Sequence, residues 1–474
     1  MAGKMVSMDE VPFSRFHLRL LLISSGLNFT AGYGVGNIAI ALPVMAGQIP
    51  VSSQMSGLIG MGVFLGSIFG SVVGGKLSDA WGRRKMFYAV FGWVLATSVI
   101  SWFTPSADFL FCQRVLVGAG LGATFSVSGP YMAEFAPQKS RGNVVGALNA
   151  LWFIGYAASN VVCYLLIGAG PDAWRWMLAS TAAPCIIWML AGLRMPESPR
   201  WLIERGRTGD AARVLALVGP NVTMTGIEDG GASCPKFRTR DLFHGTYARR
   251  VLFVAIFWSL QVIPTFSLGT YLPSIVAECG FGTGDAQYLG TAVINCLYLI
   301  GLVPMLLLVD KMGRRPLLIG TSAVCAAALA VIGLTMGLGL HNATVIGLFV
   351  LFGATNTAGG SLQYVYPNEL FPTTIRGTAV GFCTSLTRVV SAAATFMTPC
   401  IIEAAGSQTT ILACAALSLA GAIYASHSAP ETRGLDLADA ATAGQARNDL
   451  GSRTQTSKAR AGSFGPIAPK ANEP

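Results

Sequence analysis

Long apolar segments recur along the chain and are separated by short polar or charged connections. A helix needs about 20 residues to cross roughly 30 Å of hydrocarbon, and twelve segments reach that length. We place them at residues 18–43, 55–76, 86–104, 109–134, 143–167, 174–194, 250–274, 287–309, 316–337, 343–367, 378–402 and 407–428. The pattern predicts an all-α integral membrane protein with twelve transmembrane helices, numbered below as spans 1 to 12.

The composition supports this interpretation, because 53% hydrophobic and 11% charged residues are too apolar a mixture for a soluble domain of this length. The first apolar run follows Arg15 and Arg19 and is too long for the core of a signal peptide, so we expect it to remain as span 1. The ten cysteines are scattered without paired or metal-ligand spacing. They predict packing residues and neither a disulfide framework nor a metal site.

Lysine and arginine residues concentrate on one side of the membrane in the predicted topology. Of the 32 basic residues, all but three follow even-numbered spans or lie in the termini and in segment 195–249. Arg175 lies on the other side, and Arg114 and Arg388 lie within spans. The positive-inside rule therefore places both termini in the cytoplasm. The net charge of +10 follows largely from this topology, so it gives little support to a nucleic-acid partner.

Charged motifs of the first half return in the second half in the same order. The repeated positions are Asp79, Gly82, Arg83, Arg84, Glu134, Arg141 and Glu197, which return as Asp310, Gly313, Arg314, Arg315, Glu369, Arg376 and Glu431. The nearly constant separation marks two six-helix bundles, and parallel bundles of this kind bind solute between them near the membrane midplane.

The predicted organisation has five parts. They are a cytoplasmic N-terminus at 1–17, a first bundle at 18–194, a cytoplasmic linker at 195–249, a second bundle at 250–430 and a tail at 431–474. In the linker, the sequence from Trp201 to Gly206 predicts a short amphipathic helix against the bundle. The tail is rich in Ala, Gly, Ser and Thr and is expected to be disordered.

The motifs resemble those of the major facilitator superfamily over about residues 15–436. Segment 75–85, Gly-Lys-Leu-Ser-Asp-Ala-Trp-Gly-Arg-Arg-Lys, is similar to the signature loop of that superfamily. Segments 196–202, 369–377 and 430–434 resemble the branch of sugar porters, organic-ion transporters, synaptic-vesicle-protein-like transporters and aromatic-acid or niacin transporters. The resemblance implies a transporter that works by alternating access, as a monomer in the lipid bilayer and without a cofactor.

The charged motifs are candidates for a gate. Interleaved carboxylates and arginines at helix ends can bias one conformation of a transporter by a few kcal/mol. The predicted gating residues are Asp79, Gly82, Arg83, Arg84, Glu134, Arg141, Glu197, Arg200, Asp310, Arg314, Arg315, Glu369, Arg376 and Glu431. The alternative is that they serve as orientation signals and helix caps.

Two arginines within spans are candidates for solute binding. Arg388 follows Arg376 by twelve residues, so at ~1.5 Å per residue it lies about 18 Å into the membrane. No acidic residue lies at comparable depth, and the planar guanidinium matches a carboxylate. Arg114 is nearer the outer end of span 4, where its side chain either contributes to the site or extends to the headgroups.

Polar and aromatic residues at similar depth complete the predicted site. They are Asn28 and Tyr33 on span 1, Trp258 and Gln261 on span 7, and Asn356, Gln363 and Tyr364 on span 10. The resemblance implies that these spans line the cavity together with span 4. The alternative for each aromatic residue is helix packing.

The resemblance implies that Arg388 stands where organic-anion and aromatic-acid members carry an arginine and sugar porters do not. Proton-coupled aromatic-acid members carry carboxylates near a Gly-Tyr pair in helix 1, whereas this chain reads Ala31-Gly32-Tyr33-Gly34. We therefore expect facilitated diffusion or exchange of a small organic anion, in the plasma membrane. The alternatives are a sugar or polyol facilitator, an organic-cation transporter and a nutrient sensor. An enzyme is disfavoured, because no Gly-x-Ser-x-Gly or His-Glu-x-x-His motif occurs.

The topology can be tested with a reporter tag at either terminus. We expect both tags to lie on the cytoplasmic side, because an even number of crossings separates them. Protease protection in sealed vesicles of known orientation measures this. Tags found on opposite faces would contradict the predicted topology.

Overall fold

The protein is described by a computed structural model that covers residues 6–137, 140–219, 222–223, 244–281, 284–304, 311–336, 342–360, 362–371 and 373–431. Eleven of the described helices, some joined by short turns, are long and apolar enough to cross a membrane. The predicted all-α membrane fold is confirmed. We call the side of the membrane where spans 2 and 3 join the basic face, and the other side the opposite face.

The first half contains six membrane crossings. They are Arg15–Gly36 with Ile38–Ala46, Ser53–Trp81, Arg83–Ile100, Ala107–Phe135, Arg141–Leu166, and Ala173–Ala179 with Ala182–Ala191. Short 3-10 turns extend three of them, at Ser101–Phe103, Ile167–Ala169 and Gly192–Arg194. Span 1 is continuous across its joint, because the backbone amide of Asn37 donates to the carbonyl of Tyr33.

The second half begins after two linker helices. The linker helices are Pro199–Glu204 and Thr208–Val218. The membrane helices that follow are Gly245–Val276, Asp285–Tyr298, Arg314–Thr335, Asn342–Gly360 with Leu362–Leu370, and Thr373–Ser428. A π-helical turn, Ala277–Phe281, extends span 7, and the 3-10 turn Leu299–Gly301 extends span 8.

The last helix contains two membrane crossings. Its 56 residues would extend roughly 84 Å if straight, far more than the hydrocarbon thickness. Gly406 interrupts it with φ of +79°, a conformation that glycine adopts without steric cost. The two arms on either side of Gly406 correspond to predicted spans 11 and 12.

Glycines allow spans 2 and 4 to pack with their backbones in contact. A side chain at Gly66 would meet the carbonyl oxygen of Val115, and one at Gly118 would meet the carbonyl oxygen of Val63. Small residues permit such close approach between membrane helices. This packing sets the position of span 4, and therefore of Arg114, against span 2.

A short β-ladder joins the N-terminus to the linker. Val6–Ser7 pairs in parallel with Val222–Thr223. Met8, which is buried, belongs to the same hydrophobic cluster as Leu202 and Val214 of the linker helices. The predicted amphipathic helix corresponds to Pro199–Glu204, and its Trp201 indole donates to the carbonyl of Asp79 at the end of span 2.

The repeated glutamates cap the helices that follow the repeated glycines. The Glu197 carboxylate accepts hydrogen bonds from the backbone amides of Arg83 at 2.7 Å and Arg84 at 3.1 Å. The Glu431 carboxylate accepts from the backbone amides of Arg314 at 3.0 Å and Arg315 at 3.2 Å. These amides have no partner inside the helix, and a negative charge there also complements the helix dipole.

A tyrosine in each half completes the repeat. The Tyr131 hydroxyl donates to the carbonyl of Pro196 at 3.0 Å, and the Tyr366 hydroxyl donates to the carbonyl of Pro430 at 3.0 Å. Each proline precedes the capping glutamate of its half. The repeated Pro-Glu pair therefore takes part in the same hydrogen bonds in both halves.

Gly82→Ala tests this cap. The backbone of Gly82 has φ of +97° and ψ of 158°, and a side chain there would meet the Glu197 carboxylate. We expect a loss of about 1–3 kcal/mol of stability, the typical cost of a non-glycine residue in such a conformation. Thermal unfolding of the purified protein in detergent measures it.

Gly92→Ala in span 3 is the matched control, because nothing lies within 4 Å of the added methyl group. We expect that variant to unfold at or slightly above the wild-type temperature. Equal destabilisation of the two variants would contradict the role of Gly82.

Candidate solute-binding site

Arg388 on span 11 lies at the interface between the two halves. Its side chain is partly exposed, and its guanidinium carbon lies 5.2 Å from the ring centroid of Phe125 on span 4. The guanidinium therefore has a cation–π contact with the opposite half. It also lines a cavity with Ala31, Val35, Val63, Phe64, Ser67, Leu121, Phe125 and Trp152. All of these belong to the first half, so the arginine faces an apolar and aromatic wall.

A second, polar cavity lies within the second half. It is lined by Phe257, Leu260, Gln261, Leu318, Thr321, Ser322, Cys325, Asn356, Ser418 and Gly421. The Gln363 amide donates to the Gln261 side-chain oxygen at 3.2 Å, and the Asn356 amide donates to the Thr265 hydroxyl at 2.8 Å. Spans 7 and 10 thus bring three predicted residues, Gln261, Asn356 and Gln363, together.

Both cavities are small in this conformation. Their volumes are about 20 Å³ in the second half and about 10 Å³ beside Arg388. Sites for organic ligands typically measure about 300–1,000 Å³. The space around Arg388 must therefore widen when an organic solute binds, which requires the two halves to move relative to each other.

The predicted residues of spans 1 and 4 lie inside the first half. Arg114 is only 2% exposed, and it donates to the carbonyl of Gly34 at 3.0 Å and to the side-chain oxygen of Asn37 at 3.3 Å. It is directed towards span 1 and not towards the headgroups. Its Nε and Nη2 atoms are buried without a hydrogen-bond partner in the described part of the chain.

Asn28 and Tyr33 join span 1 to its neighbours. The Asn28 amide donates to the Ser128 hydroxyl at 3.0 Å, and the hydroxyls of Tyr33 and Ser180 share a hydrogen bond of 2.8 Å. Neither residue lines the two cavities described above. In this conformation they stabilise the packing of spans 1, 4 and 6, and their role in solute binding stays a prediction.

The structure describes the side chain of one of the two remaining predicted aromatic residues. Trp258 is 4% exposed and belongs to the main hydrophobic cluster. The side chain of Tyr364 lies outside the described residues. The structure adds Phe64, Phe125 and Trp152 of the first half to the site. These aromatic residues have no sequence feature that separates them from packing residues.

The predicted gating residues form ion pairs at the basic face. Arg83 pairs with Asp79 at 2.6 Å and with Glu134 at 3.2 Å. In the second half, Arg314 pairs with Glu369 at 2.8 Å. Each of these pairs joins residues of one half.

The other predicted gating residues that the structure describes also make contacts within one half or within the linker. Arg84 donates to the carbonyl of Leu193 and Arg315 to that of Ser426, and Arg200 lies 4.0 Å from Glu204. Asp310 and the side chains of Arg141 and Arg376 lie outside the described residues. The gating role of this set stays a prediction.

The halves meet at the opposite face in a seal formed by spans 2, 7 and 11. The Tyr271 hydroxyl lies 3.1 Å from the carbonyl oxygen of Ser56 and 3.2 Å from that of Thr395. A side chain at Gly57 would meet the carbonyl oxygen of Phe396, so the backbones are in close contact. The sequence carries no signal for this seal, because its partners are more than 100 residues apart.

Comparisons with known proteins agree with this architecture. Residues 20–443 match the family model described as "Sugar (and other) transporter". The putative metabolite transport protein YaaU of Escherichia coli K12 is 36% identical over 91% of this chain and 96% of its own length. The inner membrane metabolite transport protein YgcS of the same organism is 35% identical over 93% and 97%. These relatives confirm the prediction of a membrane transporter and not an enzyme.

Solved structures show the same fold. The partially occluded inward-open xylose transporter XylE from Escherichia coli is similar, with a TM-score of 0.77 and 20% identity. The match covers 89% of this chain and 100% of XylE. The predicted arrangement of two six-helix bundles is therefore that of the major facilitator fold.

Gly60→Val tests the seal at the opposite face. An added Cβ at Gly60 would lie 2.8 Å from a Thr395 methyl carbon and 2.9 Å from the Tyr271 hydroxyl. Overpacking of this kind costs about 1–3 kcal/mol, and only the closed state bears that cost. We expect the population to shift at least fivefold towards states open at the opposite face.

The measurement is the labelling rate of a cysteine introduced at Ser56 by an impermeant thiol reagent, in a background without the exposed Cys112. Gly92→Val is the control, because nothing lies within 4 Å of an added Cβ at Gly92, and it should label as wild type does. If Gly60→Val labels no faster than this control, Gly60 does not limit closure.

Proposed function

This chain belongs to the sugar (and other) transporter family, and we propose that it carries a small organic anion across the membrane by alternating access. The position of Arg388 supports the proposal most strongly. Its guanidinium lies between the halves and lines a cavity with residues of the first half. A fixed cation in a membrane interior is costly unless it faces a cavity and takes part in function.

The chemistry of the guanidinium favours a carboxylate. Its planar fork makes two parallel hydrogen bonds to a carboxylate, which adds geometric selection to the charge attraction. The same charge disfavours organic cations, which would meet electrostatic repulsion in a medium of low dielectric constant. The apolar and aromatic wall around Phe125 suits the carbon skeleton of an organic acid.

The arrangement of the contacts supports the proposal of alternating access. The seal of Tyr271 closes the opposite face, while the ion pairs of Arg83 and Arg314 remain within their own halves. Two internally stabilised bundles can then rock about a site between them. We further propose that the gating residues bias this equilibrium, that both termini are cytoplasmic and that the protein works as a monomer in the plasma membrane.

We propose facilitated diffusion or anion exchange as the mode of transport. Span 1 reads Ala31-Gly32-Tyr33-Gly34, without the carboxylates that proton-coupled aromatic-acid members carry near a Gly-Tyr pair, and the Gly34 carbonyl accepts a hydrogen bond from Arg114. In the described part of this region, the side chains that hydrogen-bond to span 1 are the Arg114 guanidinium, the Cys163 thiol and the hydroxyls of Ser128, Ser180 and Thr181, and none of them is a carboxylate or an imidazole.

A neutral sugar or polyol is the second candidate solute. The polar cavity of Gln261, Asn356 and Thr321 favours it, because amides and hydroxyls match sugar hydroxyls. The family description and the likeness to a xylose transporter point in the same direction. Arg388 is the residue that separates the two candidates, since a neutral solute does not need a cation at the site.

Substitution of Arg388 tests the anion proposal. Arg388→Lys keeps the charge but loses the planar fork, and Arg388→Gln loses both. We expect carboxylate affinity to fall in both variants and furthest in Arg388→Gln, by about 1.5–3 kcal/mol, or ten- to a hundredfold. Uptake of labelled carboxylates and sugars into vesicles, with competition binding on purified protein, provides the measurement.

Arg213→Gln on the exposed linker helix is the control, because Arg213 pairs with its helix neighbour Asp210 at 3.3 Å. It should transport as wild type does. The anion proposal fails if folded Arg388→Gln keeps full affinity for an anionic solute, or if wild type prefers cations. Preference for a neutral sugar together with insensitivity to Arg388→Gln would favour the second candidate.

A further inference from the structure

We infer that the solute carries hydroxyl groups as well as a carboxylate, which makes it a polyhydroxylated acid such as a sugar acid. This inference rests on the proposed anion function and names the class of anion. Two kinds of binding group in the second half support it. The guanidinium of Arg388 can bind a carboxylate, and the amides of Gln261, Gln363 and Asn356 can bind hydroxyl groups.

The amides have hydrogen-bonding capacity that the protein does not use. All three residues are partly exposed. Within the described part of the chain, Gln261 Nε2, Gln363 Oε1 and Asn356 Oδ1 make no hydrogen bond. One donor group and two acceptors are therefore available. Hydroxyl groups both donate and accept, so a polyol can satisfy this mixed set, whereas a hydrocarbon chain cannot.

Two hydroxyl side chains add acceptors beside these amides. The Thr321 hydroxyl donates to the carbonyl of Leu317 at 2.8 Å, and the Ser418 hydroxyl donates to that of Cys414 at 3.0 Å. Their hydrogens are engaged within their own helices, but the oxygen lone pairs remain able to accept. The polar cavity thus offers acceptors on spans 9, 10 and 12 around the Gln261 amide.

Arg388 and Gln261 lie at comparable depth. Spans 7 and 11 both start at the basic face and make contact at two levels, Cys383 with Val251 and Thr395 with Tyr271. Both residues lie between these levels. At ~1.5 Å per residue, the depths of Arg388 and Gln261 differ by less than about 8 Å. This holds whether depth is counted from the Cys383–Val251 contact or from the Thr395–Tyr271 contact. Packed helices are about 8–10 Å apart, so one small solute can reach both groups.

The facing wall of the first half fits the carbon side of such a solute. Trp152 and Phe64 both approach the Phe266 ring of span 7, with centroid distances of 6.2 Å and 4.7 Å. The Trp152 and Phe64 rings belong to the first half and line the cavity beside Arg388. Aromatic faces next to a few convergent polar groups are suited to amphipathic ligands, whose C–H groups pack while their oxygens bond.

The opposing candidate is an acid without hydroxyls, such as an aliphatic or aromatic carboxylate. It would engage Arg388 and the aromatic wall. It would also displace water from the free amide atoms without replacing the lost hydrogen bonds. A site built to bond hydroxyls rejects an analogue that lacks them more strongly than an apolar pocket rejects an extra methylene. We therefore expect discrimination of at least tenfold against such acids.

Three probes of equal carbon number test the inference on purified wild-type protein. Gluconate carries charge and hydroxyls, hexanoate carries only charge, and sorbitol carries only hydroxyls. Titration calorimetry, supported by thermal shift, should give gluconate an affinity at least tenfold higher than either of the others. This ranking needs no variant, so it stands even if a substitution impairs folding.

Two variants then separate the chemistries. Gln261→Met keeps the side-chain volume but loses the amide, and should lower gluconate affinity at least tenfold while leaving hexanoate unchanged. Arg388→Gln should bring gluconate down to the level of sorbitol and leave sorbitol unchanged. Gln408→Met on span 12 is the matched control, because its amide bonds the carbonyl of Gly333 away from the site, and it should bind all three as wild type does.

The outcomes distinguish this inference from the proposed function. If hexanoate binds wild type as tightly as gluconate and Gln261→Met changes neither, the solute class is wrong while the anion function stands. If sorbitol binds more tightly than both acids and Arg388→Gln has no effect, the anion function fails and this inference fails with it. Folded wild-type protein that does not bind gluconate also overturns the inference.

Discussion

The hydrocarbon layer offers no hydrogen-bond partner, and this constraint governs the whole structure. Backbone groups are satisfied within helices, and buried polar side chains bond either their own helix, as Thr97 does to Trp93, or a neighbouring span, as Arg114 does to Gly34. A long cationic side chain is tolerated only where protein or a cavity solvates it. Arg388 lies at the interface between the two bundles and lines a cavity there, so a solute can reach it.

The repeat explains how the bundles keep their shape while they move. In each half a carboxylate from the end of the bundle caps the third helix of that half, through Glu197 in the first and Glu431 in the second. In each half an arginine just after the glycine turn pairs with a glutamate of the fourth helix. The ion pairs of Arg83 and Arg314 thus lie inside their own halves, and the described seal between the halves consists of packed glycines and hydrogen bonds of one tyrosine. The described seal can open without breaking an ion pair.

The proposed site combines features of both candidate solutes. The polar cavity offers amides and hydroxyls that match sugar hydroxyls, whereas Arg388 supplies a charge that a neutral sugar does not require. A hydroxylated acid uses both sets of groups at once. The closed aromatic wall at Phe125 and the small cavities indicate that binding and rearrangement of the halves are coupled, because the solute needs more room than this conformation provides.

The sequence by itself determined the membrane class, the number and order of the spans, the two-fold repeat and the family, since these follow from segment length, charge and motif spacing along the chain. It also proposed Arg388, Gln261, Asn356 and Gln363 as candidate site residues by depth. Only the tertiary structure decided that Arg114, Asn28 and Tyr33 bond inside the first half, that Phe125 faces Arg388 and that Tyr271 seals the opposite face. The physical reason is that the depth of a residue along a helix can be counted from the rise per residue. The direction of its side chain depends instead on how each helix is rotated and packed against helices far away in sequence. The hydrophobic periodicity of uniformly apolar spans does not specify that rotation.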